Sequence, residues 1–316
     1  MSTERGKIAI VGAGTVGTTI AYACLLRGLA RHLVLYDANK LKVEAECLDL
    51  AHGLRFVTNV VLEGSDDLHI CREAELIILA AGAKQRVNQG RMDLAANNVE
   101  IYHKMIPELM RIAPEAIVLV VANPVDLITY LVCKLSGLNP QRVLGSGTVL
   151  DSSRFRFLIA RRCNVFIDDV RAYIAGEQGE NEFPLWSTAM IGNIPLQDWR
   201  VPGHPTLSVD DRAEIFAAVK DSADRIILGK GAANYASGLA TARIVEAILN
   251  DENLVLPVSS LLRDYRGIDD VCLSVPCIVN RRGVEAALPV PMDAAEEAGL
   301  NHSAQIAKSA LTTLKV

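Results

Sequence analysis

The sequence predicts an α/β fold in which a doubly wound parallel sheet is followed by a mixed α+β domain. Short apolar runs rich in β-branched residues alternate with helical patterns in the first half, a glycine-rich turn follows the first run, and the order of elements changes after about residue 147. Repeated strand–helix units form parallel sheets with helices on both faces. We therefore expect two domains, residues 1–147 and 148–316.

Each element is predicted from its pattern. Continuously apolar runs are typical of strands buried on both faces, and they occur at 7–11, 33–36, 75–81, 116–122 and 142–147. Helices are predicted between them at 15–28, 41–53, 92–111 and 125–136. In the second half, helices at 151–162, 209–227 and 235–250 surround strands near 168–175, 254–262 and 270–279, and a last helix starts at 293. No Pro/Ser-rich linker separates the halves, so we expect them to pack together with the site between them.

Composition excludes several classes of partner. The net charge is -5 and the basic residues are scattered, so the sequence predicts neither a nucleic-acid nor an anionic-membrane surface. The longest apolar runs are too short to span a bilayer, and the first residues do not resemble a secretory leader. Seven cysteines without a C-x-x-C pair indicate reduced thiols and a cytoplasmic protein. We expect a small-molecule partner and no metal site.

The strongest local motif is a glycine-rich turn between the first strand and the first helix. Gly12, Gly14 and Gly17 have G-x-G-x-x-G spacing, which permits a tight turn, close approach of a pyrophosphate and close packing of helix on strand. Asp37 ends the second strand 20 residues after Gly17, where a carboxylate accepts from ribose hydroxyls and repels a 2′-phosphate. The combination predicts a Rossmann domain that binds NAD in preference to NADP.

Five further segments carry a resemblance to a known family: "LAAGAKQRVNQGRMDL", "VVANPVDLITY", "GSGTVLDSSRFRFLIA", "GEQGEN" and "YRGIDDVCLSVPCIVNRRG". In content and order they resemble the L-lactate and malate dehydrogenases over essentially the whole chain, and bacterial L-lactate dehydrogenases above all. The resemblance implies a second domain that binds substrate, and hydride transfer between NAD and a 2-oxo or 2-hydroxy acid. It also assigns Val16, Gly82, Asn98 and Asn123 to the cofactor site.

The resemblance gives roles to four polar residues. Arg154 matches the arginine that binds the substrate carboxylate, and Asp151 matches the carboxylate that orients the catalytic base. Arg91 matches the arginine of a closing loop that polarises the ketone, and Asn123 matches the asparagine that holds the substrate oxygen and the nicotinamide. Taken singly, Asp151 could cap a helix, Asn123 could serve the turn before proline, and the arginines could be solvated; their occurrence together in family order favours the site.

Substrate choice in the family depends on the position that Gln85 occupies. Malate enzymes have an arginine there to pair with a second carboxylate, whereas lactate enzymes have a glutamine. The resemblance therefore implies a lactate-like preference for a monocarboxylic acid. Arg86, one residue along, leaves the alternative that a loop shift brings a positive charge into the site.

The chain departs from the family at the catalytic base. Gln178 stands where the family's "GEHGD" turn has the proton-transferring histidine, Glu180 replaces the aspartate, and Ala233 stands where a threonine or another small residue commonly faces the substrate. An amide donates hydrogen bonds but does not exchange protons near neutral pH. None of the six histidines lies in a segment that matches a family site, so no substitute is visible.

Four explanations of Gln178 stay open. The chain is a dehydrogenase with impaired or altered proton transfer, using water or a lysine such as Lys84; or an imine reductase, since a protonated C=N needs no further proton; or an NAD-binding protein without turnover; or a protein in which the histidine was replaced deliberately. We favour the first because Arg91, Asp151, Arg154 and Asn123 are all present.

Assembly and regulation are also implied by the resemblance. We expect a homotetramer or homodimer. Some bacterial lactate dehydrogenases bind fructose 1,6-bisphosphate across a subunit interface through an arginine and a histidine. Arg156 matches that arginine and Arg171 stands at the histidine's position. Two arginines favour phosphate binding, although Arg171 could equally pair with Asp168 or Asp169.

Overall fold

The computed structural model describes residues 6–83, 91–314 and 316, with the backbone alone for 91–94. The first half contains β1 (Lys7–Val11), α1 (Thr15–Leu26), β2 (His32–Tyr36), α2 (Lys40–His52), β3 (Val61–Ser65), β4 (Leu76–Leu79), α3 (Arg91–Ile112), β5 (Ile117–Val120), α4 (Val125–Ser136) and β6 (Val143–Gly145). The second half contains α5 (Val149–Cys163), β7 (Val170–Arg171), β8 (Ile174–Gly176), β9 (Glu182–Pro184), β10 (Met190–Ile191), β11 (Ile194–Pro195), α6 (Val209–Lys230), α7 (Tyr235–Leu249), β12 (Leu254–Leu262), β13 (Val271–Asn280), β14 (Gly283–Ala287) and α8 (Ala294–Leu314).

The first half is a doubly wound parallel sheet, as predicted. Its strand order is β3-β2-β1-β4-β5-β6, and β1 pairs in parallel with both β2 and β4. The chain leaves β1 in one direction toward β2 and later returns to its other side with β4. Such a reversal of strand order opens a crevice at the carboxyl ends of the strands, where ligands bind in open α/β sheets.

The second half continues the same sheet in antiparallel fashion. Ser259 of β12 pairs with Gly145 of β6, and β13, β8 and β9 follow in that order, with β14 on β13. A separate small sheet has the order β11-β10-β7. The turn between β8 and β9 therefore belongs to the same sheet as the parallel half, with β12 and β13 between β8 and β6.

The predicted elements are confirmed at most positions, with two kinds of difference. The strand expected near 168–175 is divided into β7 and β8, which belong to different sheets. Five strands were not predicted: β3, β9, β10, β11 and β14. The sequence of β3, "VLEGS", lacks the continuous apolar run of its neighbours and is exposed or half-buried throughout, while β9 to β11 have only two or three residues each and carry too little pattern to detect.

Two apolar cores support this arrangement. The larger one surrounds the main sheet and includes Ile10, Ile78 and Leu119, and the smaller one lies under α5 and includes Phe155 and Trp199. All seven cysteines are free. No helix in the described ranges is long and apolar enough to cross a bilayer. Among the described residues, no cluster of three or more His, Cys, Asp or Glu side chains is arranged to hold a metal ion.

Candidate active site

The glycine turn after β1 has the shape that a dinucleotide requires. Gly12 has φ +109°, and a Cβ there would lie 2.4 Å from the Ala81 nitrogen. A Cβ on Gly17 would lie 1.9 Å from the Gly12 carbonyl oxygen, so helix α1 can pack on β1 only without a side chain. A Cβ on Gly14 would meet only the Lys42 Nζ, at 3.9 Å. Gly14 therefore faces open space at the N-terminus of α1, where a pyrophosphate fits.

Asp37 is tied to this turn. Its Oδ2 accepts a hydrogen bond of 2.9 Å from the backbone N–H of Ala13, and its Oδ1 accepts one of 3.0 Å from the backbone N–H of Asn39. Lys42 Nζ lies 3.5 Å from Oδ2. The carboxylate is thus held at the end of β2, beside the glycine turn, in the position that the ribose of NAD would need.

Asn98 connects the chain segment after β4 to the segment after β5. Its Oδ1 accepts from the Ala83 amide at 2.7 Å, and its Nδ2 donates to the Asn123 carbonyl at 2.7 Å. A Cβ on Gly82 would lie 3.3 Å from the Asn98 amide group. Buried Asn98 on α3 therefore fixes the chain segments that follow β4 and β5 relative to each other.

A cavity of about 130 Å³ lies between the two halves of the molecule. It brings together five residues that the sequence assigned to the site although they lie far apart in the chain: Val16, Asn123, Asp151, Gln178 and Ala233. Its walls also include residues that sequence reasoning did not assign, namely Val121, Val125, Ser146, Gly147, Leu150, Ser237, Ala240 and Thr241. The cavity joins the cofactor side of the sheet to the turn that carries Gln178.

Asp151 and Arg154 form a buried ion pair on α5. Arg154 Nη1 lies 2.5 Å from Asp151 Oδ1, with side-chain exposures of 15% and 5%. The two residues are one helical turn apart, in the spacing that lets side chains meet. Helix α5 is fixed to β8 by the Ile174 amide, which donates to Ser152 Oγ at 2.9 Å. The pair therefore has a defined position beside the β8–β9 turn.

The turn that carries Gln178, residues 177–181, is named here the catalytic turn. Three helices hold the backbone of this turn. The backbone N–H of Gln178 donates to Asp126 Oδ2 of α4 at 2.8 Å. Lys220 Nζ of α6 donates to the Glu180 carbonyl at 2.8 Å, and Ser303 Oγ of α8 donates to the Asn181 carbonyl at 2.5 Å. Gln178 Nε2 donates a long hydrogen bond of 3.4 Å to Asp151 Oδ2. The amide side chain thus faces the carboxylate that would orient a catalytic base.

Burial changes the acidity of two carboxyl groups here. Burial raises the pKa of Asp151 above its ordinary value, and the Arg154 charge and the Gln178 hydrogen bond oppose this rise. Burial, and then the negative charge of Asp151, raise the pKa of Glu182 to about 8. An uncompensated buried carboxylate is costly, so the protonated form is favoured. A buried carboxyl group with a raised pKa thus lies beside the turn, and no described residue that lines the cavity is a histidine.

Some predicted residues cannot be placed. Lys84, Gln85 and Arg86 lie outside the described residues, and Arg91 begins α3 with a side chain that is not described. Arg156 Nε donates to the Ala172 carbonyl at 2.8 Å, and its guanidinium lies 4.7 Å from the centre of the Tyr173 ring.

Arg171 is exposed on β7. Among the described residues, no ion pair joins it to Asp168 or Asp169. The pairing that was the alternative to an effector role is therefore absent from this structure.

Sequence reasoning assigned no role to three buried carboxyl groups in the catalytic turn or beside it. Asp126, Glu177 and Glu182 have exposures of 3%, 8% and 4%. In the sequence, these three residues have the pattern of ordinary polar residues in turns and at the starts of helices. Their signal is weak because burial comes from α4, α5 and α8, which pack on the turn from distant parts of the chain.

Comparisons with known proteins agree with this geometry. The lactate/malate dehydrogenase NAD binding domain matches residues 6–145, and the lactate/malate dehydrogenase alpha/beta C-terminal domain matches residues 148–315. The chain is 49% identical to an L-lactate dehydrogenase of Bifidobacterium animalis, over 95% of this chain and 94% of that protein. It is 44% identical to an L-lactate dehydrogenase of Gloeobacter violaceus, over 98% and 93%.

Two solved structures of lactate dehydrogenases are similar to this chain. A lactate dehydrogenase from a Medee basin deep-sea metagenome library has a TM-score of 0.95 at 35% identity and covers 99% of this chain and 100% of its own. The minor L-lactate dehydrogenase of Enterococcus mundtii has a TM-score of 0.94 at 39% identity, over 98% and 99%. The likeness extends over the whole length of both chains.

Proposed function

The chain belongs to the lactate/malate dehydrogenase family and is an NAD-dependent dehydrogenase of that type, and we propose that it acts on a pyruvate-like 2-oxo monocarboxylic acid with impaired proton transfer. One observation carries the proposal: Gln178, Asp151, Asn123 and Ala233 line one cavity beside the NAD-binding glycine turn. The cavity thus supports a 2-oxo-acid site in which the residue at the position of the proton donor is an amide.

Each residue has a role in the proposed reaction. The Arg154 guanidinium, which is held by Asp151, would bind the substrate carboxylate with its planar fork. Asn123 would hold the ketone oxygen, and Arg91, from the start of α3, would polarise it in a water-excluded site. Bound NADH supplies the hydride. Gln178 would donate a hydrogen bond to the ketone oxygen without delivering a proton, so the alcohol forms slowly.

The lactate-like preference is proposed from Gln85 and from the relatives named L-lactate dehydrogenase. Pyruvate should bind more tightly than oxaloacetate, and Gln85→Arg should reverse this order because the new charge pairs with the second carboxylate. Competition of each acid with oxamate, an unreactive carboxylate analogue of pyruvate, measures the preference. Tighter binding of oxaloacetate by the unmodified protein would show that Arg86 faces the substrate.

NADH oxidation against a panel of 2-oxo acids, with and without added amines, tests the proposed function. We expect slow oxidation with pyruvate-like acids and no acceleration by amines. Turnover only in the presence of amines would favour an imine reductase. Tight NADH binding with no turnover of any acid would favour an NAD-binding protein without catalysis, whether natural or produced by replacement of the histidine.

We also propose division into a NAD-binding domain, residues 1–147, and a substrate domain, residues 148–316, and assembly into a homotetramer or homodimer. Support for assembly comes from large apolar side chains left exposed on the packed helices α1 and α7: Tyr22, Leu26, Tyr235 and Leu239. Seven free cysteines support a cytoplasmic location. Light scattering after size-exclusion chromatography measures the assembly, and a monomer would contradict it.

An effector site at Arg156 and Arg171 is the least supported of these proposals. Arg156 is engaged with Ala172 and Tyr173, whereas Arg171 is exposed and has its N–H groups available for a phosphate. Fructose 1,6-bisphosphate should raise the melting temperature of the unmodified protein and should not affect Arg171→Gln. If fructose 1,6-bisphosphate does not change the melting temperature of the unmodified protein, the proposed effector site is contradicted.

A further inference from the structure

Four carboxyl groups are buried at the catalytic turn or beside it: Asp126, Asp151, Glu177 and Glu182. Burying an ionised carboxylate costs several kcal/mol unless a cation or hydrogen bonds compensate it. The contacts of each group therefore decide which one holds a proton.

Three of the four groups accept a hydrogen bond from another side chain. Asp151 is paired with Arg154 at 2.5 Å and also accepts from Gln178. Asp126 accepts a hydrogen bond from the backbone N–H of Gln178 at 2.8 Å and one from Ser274 Oγ at 3.4 Å. Glu177 Oε2 accepts from Asn181 Nδ2 at 2.7 Å.

Glu182 is less well compensated. Its Oε2 accepts from the Gly179 amide at 3.1 Å, and no ion pair joins it to a basic side chain within the described part of the chain. The charged groups that act on it are Asp151 and Arg154 on α5 and Lys220 on α6. Lys220 is exposed and is bound to the Glu180 carbonyl, so solvent weakens its effect.

Helix α8 also packs on this region, and it contacts the turn through the neutral Ser303 hydroxyl, which binds the Asn181 carbonyl. The neighbouring His302 is exposed. The buried acid of its first turn, Glu296, is engaged by the Ser187 amide and hydroxyl. Burial without a cation partner within the described residues therefore favours the protonated form of Glu182.

We propose that Glu182 carries a proton when a 2-oxo acid binds, and that loss of this proton weakens binding of the substrate carboxylate at Arg154. The inference rests on the proposed function for the role of Arg154. Protonated Glu182 adds no charge beside the Asp151–Arg154 pair. With Glu182 ionised, the site carries one more negative charge, which repels the substrate carboxylate. Glu182 is thus a positioning residue that acts through the Asp151–Arg154 pair.

The sign of the linkage follows from the charges. An anion bound at Arg154 stabilises the protonated form of Glu182, so binding takes up a proton and is tighter at low pH. The pKa of about 8 places the change close to neutral pH. For one linked proton with this pKa, affinity falls by at most about tenfold between about pH 7 and about pH 9.

Calorimetric titration of the full-length protein, loaded with NADH, with oxamate tests the inference. At about pH 8, buffers of different ionisation enthalpy should reveal fractional proton uptake by the unmodified protein and none by Glu182→Gln. The oxamate dissociation constant should rise with pH in the unmodified protein and stay flat in Glu182→Gln. Glu180→Gln removes an exposed carboxylate of the same turn and should keep both the uptake and the pH dependence.

The possible outcomes distinguish the role of Glu182 from the proposed function. Oxamate that binds with no proton uptake and a flat pH profile overturns the role of Glu182, whether or not the variant folds. An unchanged profile in Glu182→Gln assigns the proton to another group and also overturns it. Failure of oxamate to bind at any pH contradicts the proposed function itself, and the inference with it.

Discussion

The glycine turn after β1 and the catalytic turn after β8 are both tight, glycine-containing turns at strand ends, yet they relate differently to the family. The glycine turn has the close packing at Gly17 and the carboxylate of Asp37 that the family resemblance predicts for an NAD site. In the catalytic turn the supports from α4, α6 and α8 are present, but the side chain that should transfer a proton is an amide.

The comparison indicates that the shape of the catalytic turn does not depend on the chemistry of the residue at position 178. The catalytic turn is held mainly through backbone groups, so the identity of residue 178 has little influence on its shape. Gln178 even keeps the contact with Asp151 that an imidazole would make. Under the proposed function, the scaffold would bind the substrate while proton transfer is impaired.

The largest expected effect comes from restoring the base. Gln178→His should raise pyruvate turnover by about 10²- to 10⁴-fold, the usual contribution of a general acid–base group, because Asp151 lies ready to orient the imidazole. Steady-state kinetics at saturating pyruvate measures this, and the pH profile should gain a histidine-like ionisation. Gln178→Asn, which keeps an amide, should show no gain. Equal turnover in Gln178→His and the unmodified protein would mean that the cavity serves other chemistry.

A second effect separates packing from ligand space in the glycine turn. Gly17→Ala should destabilise the protein by about 1–3 kcal/mol or more, because its Cβ would lie 1.9 Å from the Gly12 carbonyl oxygen. Gly14→Ala should leave stability unchanged, since its Cβ enters open space, but should weaken NADH binding by about tenfold or more. Thermal unfolding and NADH fluorescence titration measure the two quantities. Equal loss of stability in both variants would refute the distinction.

A smaller effect concerns cofactor choice. Asp37→Asn removes the charge that repels a 2′-phosphate and frees Lys42, 3.5 Å away, to meet one. The preference for NADH over NADPH should narrow by roughly tenfold, since hydrogen bonds to charged groups contribute about 1.5–3 kcal/mol. Glu44→Gln, the same charge change at an exposed position on α2, should leave the preference intact. Equal affinity for both cofactors in the unmodified protein would contradict the role of Asp37.

The two turns also differ in how far sequence predicts them. The glycine turn is encoded locally, because glycine identity and spacing state directly where a Cβ cannot fit. The catalytic turn was predicted as a site, but the burial of Glu182 was not, since it depends on α5 and α8, which are far away in sequence. Short strands such as β9 escaped prediction for the same reason: pairing with β8, and not their own pattern, creates them.

A single-turnover measurement in H2O and in D2O tests most directly whether Gln178 makes proton delivery to the ketone slow. The protein loaded with NADH is mixed rapidly with saturating pyruvate, and NADH oxidation is followed in the unmodified protein and in Gln178→His. If Gln178 leaves proton delivery to the ketone as the slow event, the unmodified protein should react distinctly more slowly in D2O, and by a larger factor than Gln178→His. A rate in the unmodified protein that is the same in both solvents would show that proton transfer does not limit it, and would contradict the account.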